Sequence, residues 1–434
     1  MTETLLSSPK RRFLSGLFGG RKGDRISVAN PTSIVSVELM EKTGIFFPDA
    51  HLDPHKMAEL AAGGYEILGF DSIMPEFSVQ QEAEALGCVV DWGSPTMMPD
   101  AKTHPVKEVE DLTIPDNILE KPSMAVLLRA LEILKRTYGN HVAIVGKVMG
   151  PWTISYHLCG VQDFLMWTLT ESEKVKKLLN RLKEVSIAFA NAQLRAGADA
   201  VVIADHATGD LVSPKAYQDF LLPVHQEMNQ RIGGPTILHL CGNCSDRLRL
   251  FVEAGFDGYH FEWQVDAKMA VQVVNHEISL VGNIANRDVL FGGTPEDVYK
   301  QARYSIEAGV DILAPECAVP LQTPIANLKA IVEAAKEGYV AQGPAAGALI
   351  FSPEGLSYGV EIPCSSSASR STARFKKWGR PSWIETSLSS GNWRKSSMNS
   401  EPIFSTSMRV WQVGMRSMTS VGWWNSFKKR SRFR

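Results

Sequence analysis

Two residues in the middle of the chain, His239 and Cys241, pair an imidazole with a thiol two positions apart. They follow the apolar run Pro235-Thr236-Ile237-Leu238, which reads as a β-strand. In an extended strand alternate side chains share a face, so the two groups point the same way. One imidazole and one thiolate on one face make half of a zinc site, and a third ligand must come from another strand. Cys317, in Ile312-Leu313-Ala314-Pro315-Glu316-Cys317, ends a second apolar run and is the candidate. Glu262, in Tyr259-His260-Phe261-Glu262, ends a third. Neighbouring strands lie about 4.8 Å apart, so its carboxylate can reach a metal on the next strand end as a fourth ligand. Cys244 turns Cys241-Gly242-Asn243-Cys244 into a C-x-x-C, which suits a redox pair or a second zinc ligand. Its place at the start of the following helix turns it away from His239.

Such residues need strands that end at one rim. Short β-like runs occur at 26–29, 66–70, 142–148, 200–204, 236–240, 258–261, 279–282 and 311–314, eight in all. Helical patterns fall between them at 54–62, 123–138, 171–196, 214–232, 246–254, 267–275, 295–308 and 324–335. Proline opens several, as in Ser213-Pro214 and Thr294-Pro295, and glycine closes others, as in Ala254-Gly255 and Ala308-Gly309. Alternation of this kind predicts an α/β fold, a (β/α)8 TIM barrel whose functional groups gather at the C-terminal strand ends. His239, Cys241, Glu262 and Cys317 then share one rim, on the fifth, sixth and eighth strands. Asp205 and His206 end the fourth strand and are expected to touch substrate. Asn283 and Arg287, beyond the seventh, could bind an anionic group such as a sulfonate. A segment at 88–92 reads as an inserted hairpin. His51-Leu52-Asp53-Pro54-His55 looks metal-like but sits where a helix begins, with Asp53 placed as its N-cap.

We divide the chain into an N-terminal arm (1–24), a barrel domain (25–339) and a basic tail (340–434). The net charge of −2 conceals an acidic body: 31 basic and 43 acidic side chains precede residue 340, against 14 and 4 after it. An acidic body argues against nucleic acid as a partner. The tail holds 20 Ser and six of the ten Trp without periodicity, and we expect out-of-frame sequence rather than a native domain. Six cysteines in 434 residues make no disulfide framework. With no signal peptide and no long apolar run, no membrane span is expected and a cytoplasmic location is.

The chain resembles the uroporphyrinogen decarboxylase superfamily, and within it the methylcobamide:coenzyme M methyltransferases and related corrinoid-dependent methyltransferases. The resemblance covers roughly residues 8–338. It rests on Lys10-Arg11-Arg12-Phe13-Leu14, Gly69-Phe70-Asp71, Met149-Gly150-Pro151-Trp152-Thr153, His239-Leu240-Cys241-Gly242, Val281-Gly282-Asn283-Ile284 and the stretch from Asp311 to Cys317. It implies a catalytic zinc on His239, Cys241 and Cys317, and some members use an acidic ligand such as Glu262 would be. It implies a methyl-corrinoid, carried by a corrinoid protein, as donor, and a small thiol such as coenzyme M as acceptor. Where the family commonly has Gly before the last Cys, this chain has Glu316. A decarboxylase proper is the alternative within the fold, but the stretch from Asn30 to Glu38 has no Arg to clamp an acidic porphyrinogen. A non-catalytic scaffold that docks a corrinoid protein is an alternative of another class.

Overall fold

The computed structural model describes residues 8–19 and 24–337; the tail beyond 340 lies outside the described residues. Eight parallel strands form the barrel: β1 (Ser27–Val28), β2 (Ser72–Ile73), β3 (Ala143–Met149), β4 (Ala200–Ala204), β5 (Thr236–His239), β6 (Gly258–Phe261), β7 (Ser279–Ile284) and β8 (Ile312–Pro315). Each pairs with the next in chain order from β2 to β8, and β8 returns to β1. The remaining seam, between β1 and β2, is held by Asp71. Its N–H donates to the Val28 carbonyl at 2.7 Å, and its carboxylate accepts from the Val28 N–H at 2.9 Å. Arg25 and Arg12 bind the same buried carboxylate from outside, so its charge is paired twice over.

The expected elements are present with two instructive shifts. The run 66–70 is not a strand. The helix Pro54–Glu66 ends there, and Leu68 and Phe70 fold back with their N–H groups on the Gly63 and Gly64 carbonyls. Gly69 makes that turn with φ +81°, and Leu68 and Phe70 are apolar because they are buried, not because the run is extended. The helix expected over 214–232 is broken by a π-turn at Tyr217–Leu221. The inserted hairpin is found, with Val90–Asp91 antiparallel to Asp100–Ala101. Asp53 caps its helix, accepting from the His55 and Lys56 N–H groups. Several helices were not anticipated, the longest being Pro151–Cys159 and Val161–Thr170; the shorter ones are Val37–Thr43, Asp49–Leu52 and Gln81–Ala85. In Pro151–Cys159, all residues but His157 are buried, which erases the one-sided pattern that reveals a surface helix.

Part of the N-terminal arm has a definite task. Helix α1 (Pro9–Leu17) lies under the barrel, and Phe13 and Leu17 enter the inner cluster with Ala143, Val145, Ala200, Val202, Ile237 and Ile312. Ser279 donates to the Gly16 and Leu17 carbonyls at the C-terminus of α1. At Gly16 a Cβ would come within 2.6 Å of the Ile312 side chain, so the helix can approach this closely only without one. The floor is thus closed by apolar side chains, and chemistry is left to the opposite rim. Among the described residues no helix is long and apolar enough to cross a membrane.

Candidate functional site

β5 delivers His239 as its last residue, 1 % exposed, and Cys241 follows two positions on. The sequence reading placed Cys317 on the same rim, and the structure brings it to them. His239 Nε2 lies 3.2 Å from Cys241 Sγ and 3.5 Å from Cys317 Sγ, and the two sulfurs are 3.7 Å apart. Both thiols are free. These three are, among the described residues, the group of donors that could hold a metal ion.

The surroundings fix how each donor is presented. His239 Nδ1 donates to the His260 carbonyl at 3.3 Å, which leaves Nε2 with its lone pair facing the sulfurs. Burial, with His260 and His206 nearby, holds the His239 imidazole well below its usual pKa, so the ring is neutral, the form that binds metals. Without a cation, the Cys317 thiol and burial push the Cys241 thiol well up. A divalent ion would reverse that preference. His260, whose ring lies 4.5 Å from that of His239, donates from Nε2 to the Pro315 carbonyl at 2.7 Å. It thereby ties β6 to the end of β8 just ahead of Cys317. Burial lowers its own pKa to about 4.

Glu262 stands one residue past β6. Its carboxylate takes the Gly242 N–H and lies against the Cys241 thiol, while burial raises its pKa. Gly242, at φ +80°, supplies the left-handed turn from which that N–H faces Glu262. Cys244 faces elsewhere. It is fully buried, its thiol donates to the Cys241 carbonyl at 3.5 Å, and burial pushes its pKa up to about 11.

Three residues expected near substrate are occupied otherwise. Asp205 is fully buried, with Oδ1 accepting from the Thr153 N–H and hydroxyl and Oδ2 from His225. Asn283 donates to the Val265 carbonyl and accepts from Ser305, bracing the loop that carries Glu262. The Arg287 side chain is 62 % exposed and faces Asp288. Glu316 was noticed only as a departure from Gly. It accepts from the Trp263 N–H at 3.0 Å and the Asn286 N–H at 2.6 Å, joining the loops after β6 and β7. Burial and the charge of Glu262 push its pKa up to about 8. Lys147 was missed. The signal was available: a lone cation inside the apolar run 142–148.

Comparison with known proteins places the chain in a family. Residues 8–338 match the family described as uroporphyrinogen decarboxylase (URO-D). A methylated-thiol–coenzyme M methyltransferase of Methanosarcina mazei is 35 % identical over 334 residues, covering 76 % of this chain and 89 % of that protein. The methylcobamide:CoM methyltransferase MtaA of Methanosarcina barkeri is 32 % identical, covering 76 % and 98 %. A solved methyltransferase from Methanosarcina mazei superposes with a TM-score of 0.74 at 32 % identity, covering 76 % of this chain and 99 % of that one. The chain therefore belongs to the uroporphyrinogen decarboxylase family, and methylcobamide:CoM methyltransferases are among its relatives there.

Proposed function

We propose that this protein is a zinc-dependent methyltransferase that moves a methyl group from a methyl-corrinoid, borne by a partner protein, to a small thiol such as coenzyme M. The observation that carries the reading is the triangle of His239 Nε2, Cys241 Sγ and Cys317 Sγ. Tetrahedral zinc, with bonds of about 2.3 Å to sulfur and about 2.0 Å to nitrogen, sets the sulfurs about 3.8 Å apart and each about 3.5 Å from the nitrogen. The separations here, 3.7, 3.2 and 3.5 Å, fit with movements of a few tenths of an ångström. Relatives named for methyl transfer between cobamide and coenzyme M support the donor and acceptor.

A zinc ion held by these donors supplies the positive charge that turns a thiol into a thiolate near neutral pH. Two cysteine thiolates and a neutral imidazole balance the charge of a divalent ion, so an acceptor sulfur keeps its nucleophilic electrons. His239 contributes through its fixed tautomer, held by the His260 carbonyl. Glu262, beside Cys241, would serve as a fourth ligand to such an ion, and a thiolate in its place would leave the net charge unchanged. That balance matters at a partly desolvated rim, where new charge is costly. The methyl group passes to the thiolate as its bond to cobalt breaks, and the electron pair of that bond stays with the cobalt. Methyl donor and acceptor meet at the open C-terminal rim, since α1 and its apolar partners close the floor.

Metal content and methylcobalamin demethylation with a panel of thiols test the reading together. About one zinc per chain, and corrinoid turnover abolished by chelation, are expected. Undiminished turnover after metal removal contradicts the reading, and a chain without metal or turnover favours the scaffold alternative.

A further inference from the structure

An acidic thiol needs a cation for its other end, and Arg287 is out of place at the surface. Another cation stands inside. Along β3, Ala143 and Val145 face the barrel interior, and the two-residue period of a strand turns Lys147 the same way. Lys147 is 3 % exposed, and its ammonium donates to the Ser78 carbonyl at 2.9 Å. Glu76, its nearest counter-ion, is 3.9 Å away, beyond hydrogen-bond range. Neither oxygen of the fully buried Glu76 has a close hydrogen-bond partner, with the Gln193 side chain as its other polar neighbour, and Oε2 of Glu82 has none. An ammonium carries three donors, so buried polar capacity is left open on both sides of the pair. Buried ionic groups in that condition call for a polar guest.

The register shows where that guest would lie. Met149 pairs with Ala204, and Ala204 with His239; strand tilt in the barrel offsets the two-residue difference across two strands, so Lys147 is rooted at about the level of His239. Its ammonium is within electrostatic reach of Cys317, His239 and His206.

We propose that Lys147 anchors the acidic head group of the acceptor, a sulfonate or carboxylate, beside the His239–Cys241–Cys317 triangle. The thiol end then reaches the metal donors. This rests on the methyl-transfer reading and adds to it the residue that selects a short thiol with an acidic tail. Glu76 acts as the counter-ion of Lys147 when the subsite is free. Burial raises the Glu76 pKa, so an anion that displaces Glu76 from Lys147 leaves it to take up a proton.

The test compares 2-mercaptoethanesulfonate with 2-mercaptoethanol by calorimetric titration of the zinc-loaded protein. Lys147→Met should weaken binding of the sulfonate thiol roughly 10- to 100-fold, the effect of one charge-assisted contact, with mercaptoethanol affinity and zinc content unchanged. Lys147→Arg should restore part of the loss. Glu76→Gln, which removes the competing charge at nearly constant volume, should tighten the sulfonate thiol and leave mercaptoethanol alone. Equal effects of Lys147→Met on both thiols, or no effect on either, overturn the proposal. Should Lys147→Met fail to fold, an unchanged sulfonate affinity in Glu76→Gln overturns it instead. Ethanesulfonate and metal-free protein separate the anchor from the zinc reading. Tighter ethanesulfonate binding to wild type than to Lys147→Met supports the anchor even if no zinc is held, and equal binding refutes it.

Discussion

Replacing Asp205 by Ala and by Asn separates a structural role from contact with substrate. The carboxylate is fully buried and accepts three bonds, from the Thr153 N–H at 2.7 Å, the Thr153 hydroxyl at 3.1 Å and His225 Nε2 at 3.0 Å. Asp205→Ala strips all three donors of their acceptor, and each buried donor left unpaired costs about 1–3 kcal/mol. The hydroxyl can rotate to another acceptor, the Ala204 carbonyl at 3.2 Å, so the sum falls at about 2–6 kcal/mol. Asp205→Asn is milder. Its amide oxygen still accepts from Thr153, and its NH2 can donate to His225 if the imidazole proton moves to Nδ1. There Tyr217 OH, 2.9 Å away, can accept it. That exchange leaves a loss of about 1–2 kcal/mol, the difference between charged and neutral hydrogen bonds. Urea unfolding of the zinc-loaded proteins measures both values, and thiol KM values measured beside them are expected to stay near wild type for Asp205→Asn. An Asp205→Ala protein within about 1 kcal/mol of wild type would refute the clamp. So would an Asn variant of unchanged stability whose KM has risen steeply.

Further outcomes follow from the same geometry. Cys241→Ser should lose most of the bound zinc while Cys244→Ser retains it, measured as metal per chain after dialysis; equal loss would make the C-x-x-C the binding unit. His51 is buried among Phe47, Phe77 and Trp92 with neither ring nitrogen partnered, and burial lowers its pKa to about 3. Below about pH 6.5 the unfolded chain takes up a proton that the folded chain refuses, so stability falls as pH drops from there towards 3. His51→Leu should therefore gain on wild type by about 2 kcal/mol between pH 7.5 and pH 5, at about 1.36 kcal/mol per unit over 1.5 units. An identical difference in urea stability at the two pH values contradicts this. Glu316→Ala leaves the Trp263 and Asn286 N–H groups without their acceptor, and an unfolding free energy lower by about 2–4 kcal/mol is expected.

The barrel was legible because strands buried on both faces are continuous apolar runs and the helices between them carry caps, as at Thr294-Pro295 and Ala308-Gly309. The run 66–70 misled for the same reason, since a buried helix end is as apolar as a buried strand. The meeting of His239, Cys241 and Cys317 was legible because the first two obey the two-residue period and Cys317 ends another strand. What the sequence hid were side-chain directions beyond the strand ends. Asp205, Asn283 and Arg287 stand where substrate residues could, yet the first two turn into the fold and the third into solvent. Loop conformation decides that, and no periodicity reports it. Lys147 was concealed by its own long side chain, whose root lies in a strand that otherwise reads as core.

Zinc-edge absorption spectroscopy of the purified protein, with and without an acceptor thiol, tests the central claim most directly. The account predicts two sulfur neighbours at about 2.3 Å and a nitrogen and an oxygen at about 2.0–2.2 Å in the free protein. Thiol should raise the sulfur count to three and remove the oxygen, and Glu262→Gln should alter the oxygen shell only in the thiol-free state. A sulfur shell that stays at two when thiol is bound, with methyl transfer proceeding, would contradict activation of the acceptor at the His239–Cys241–Cys317 centre.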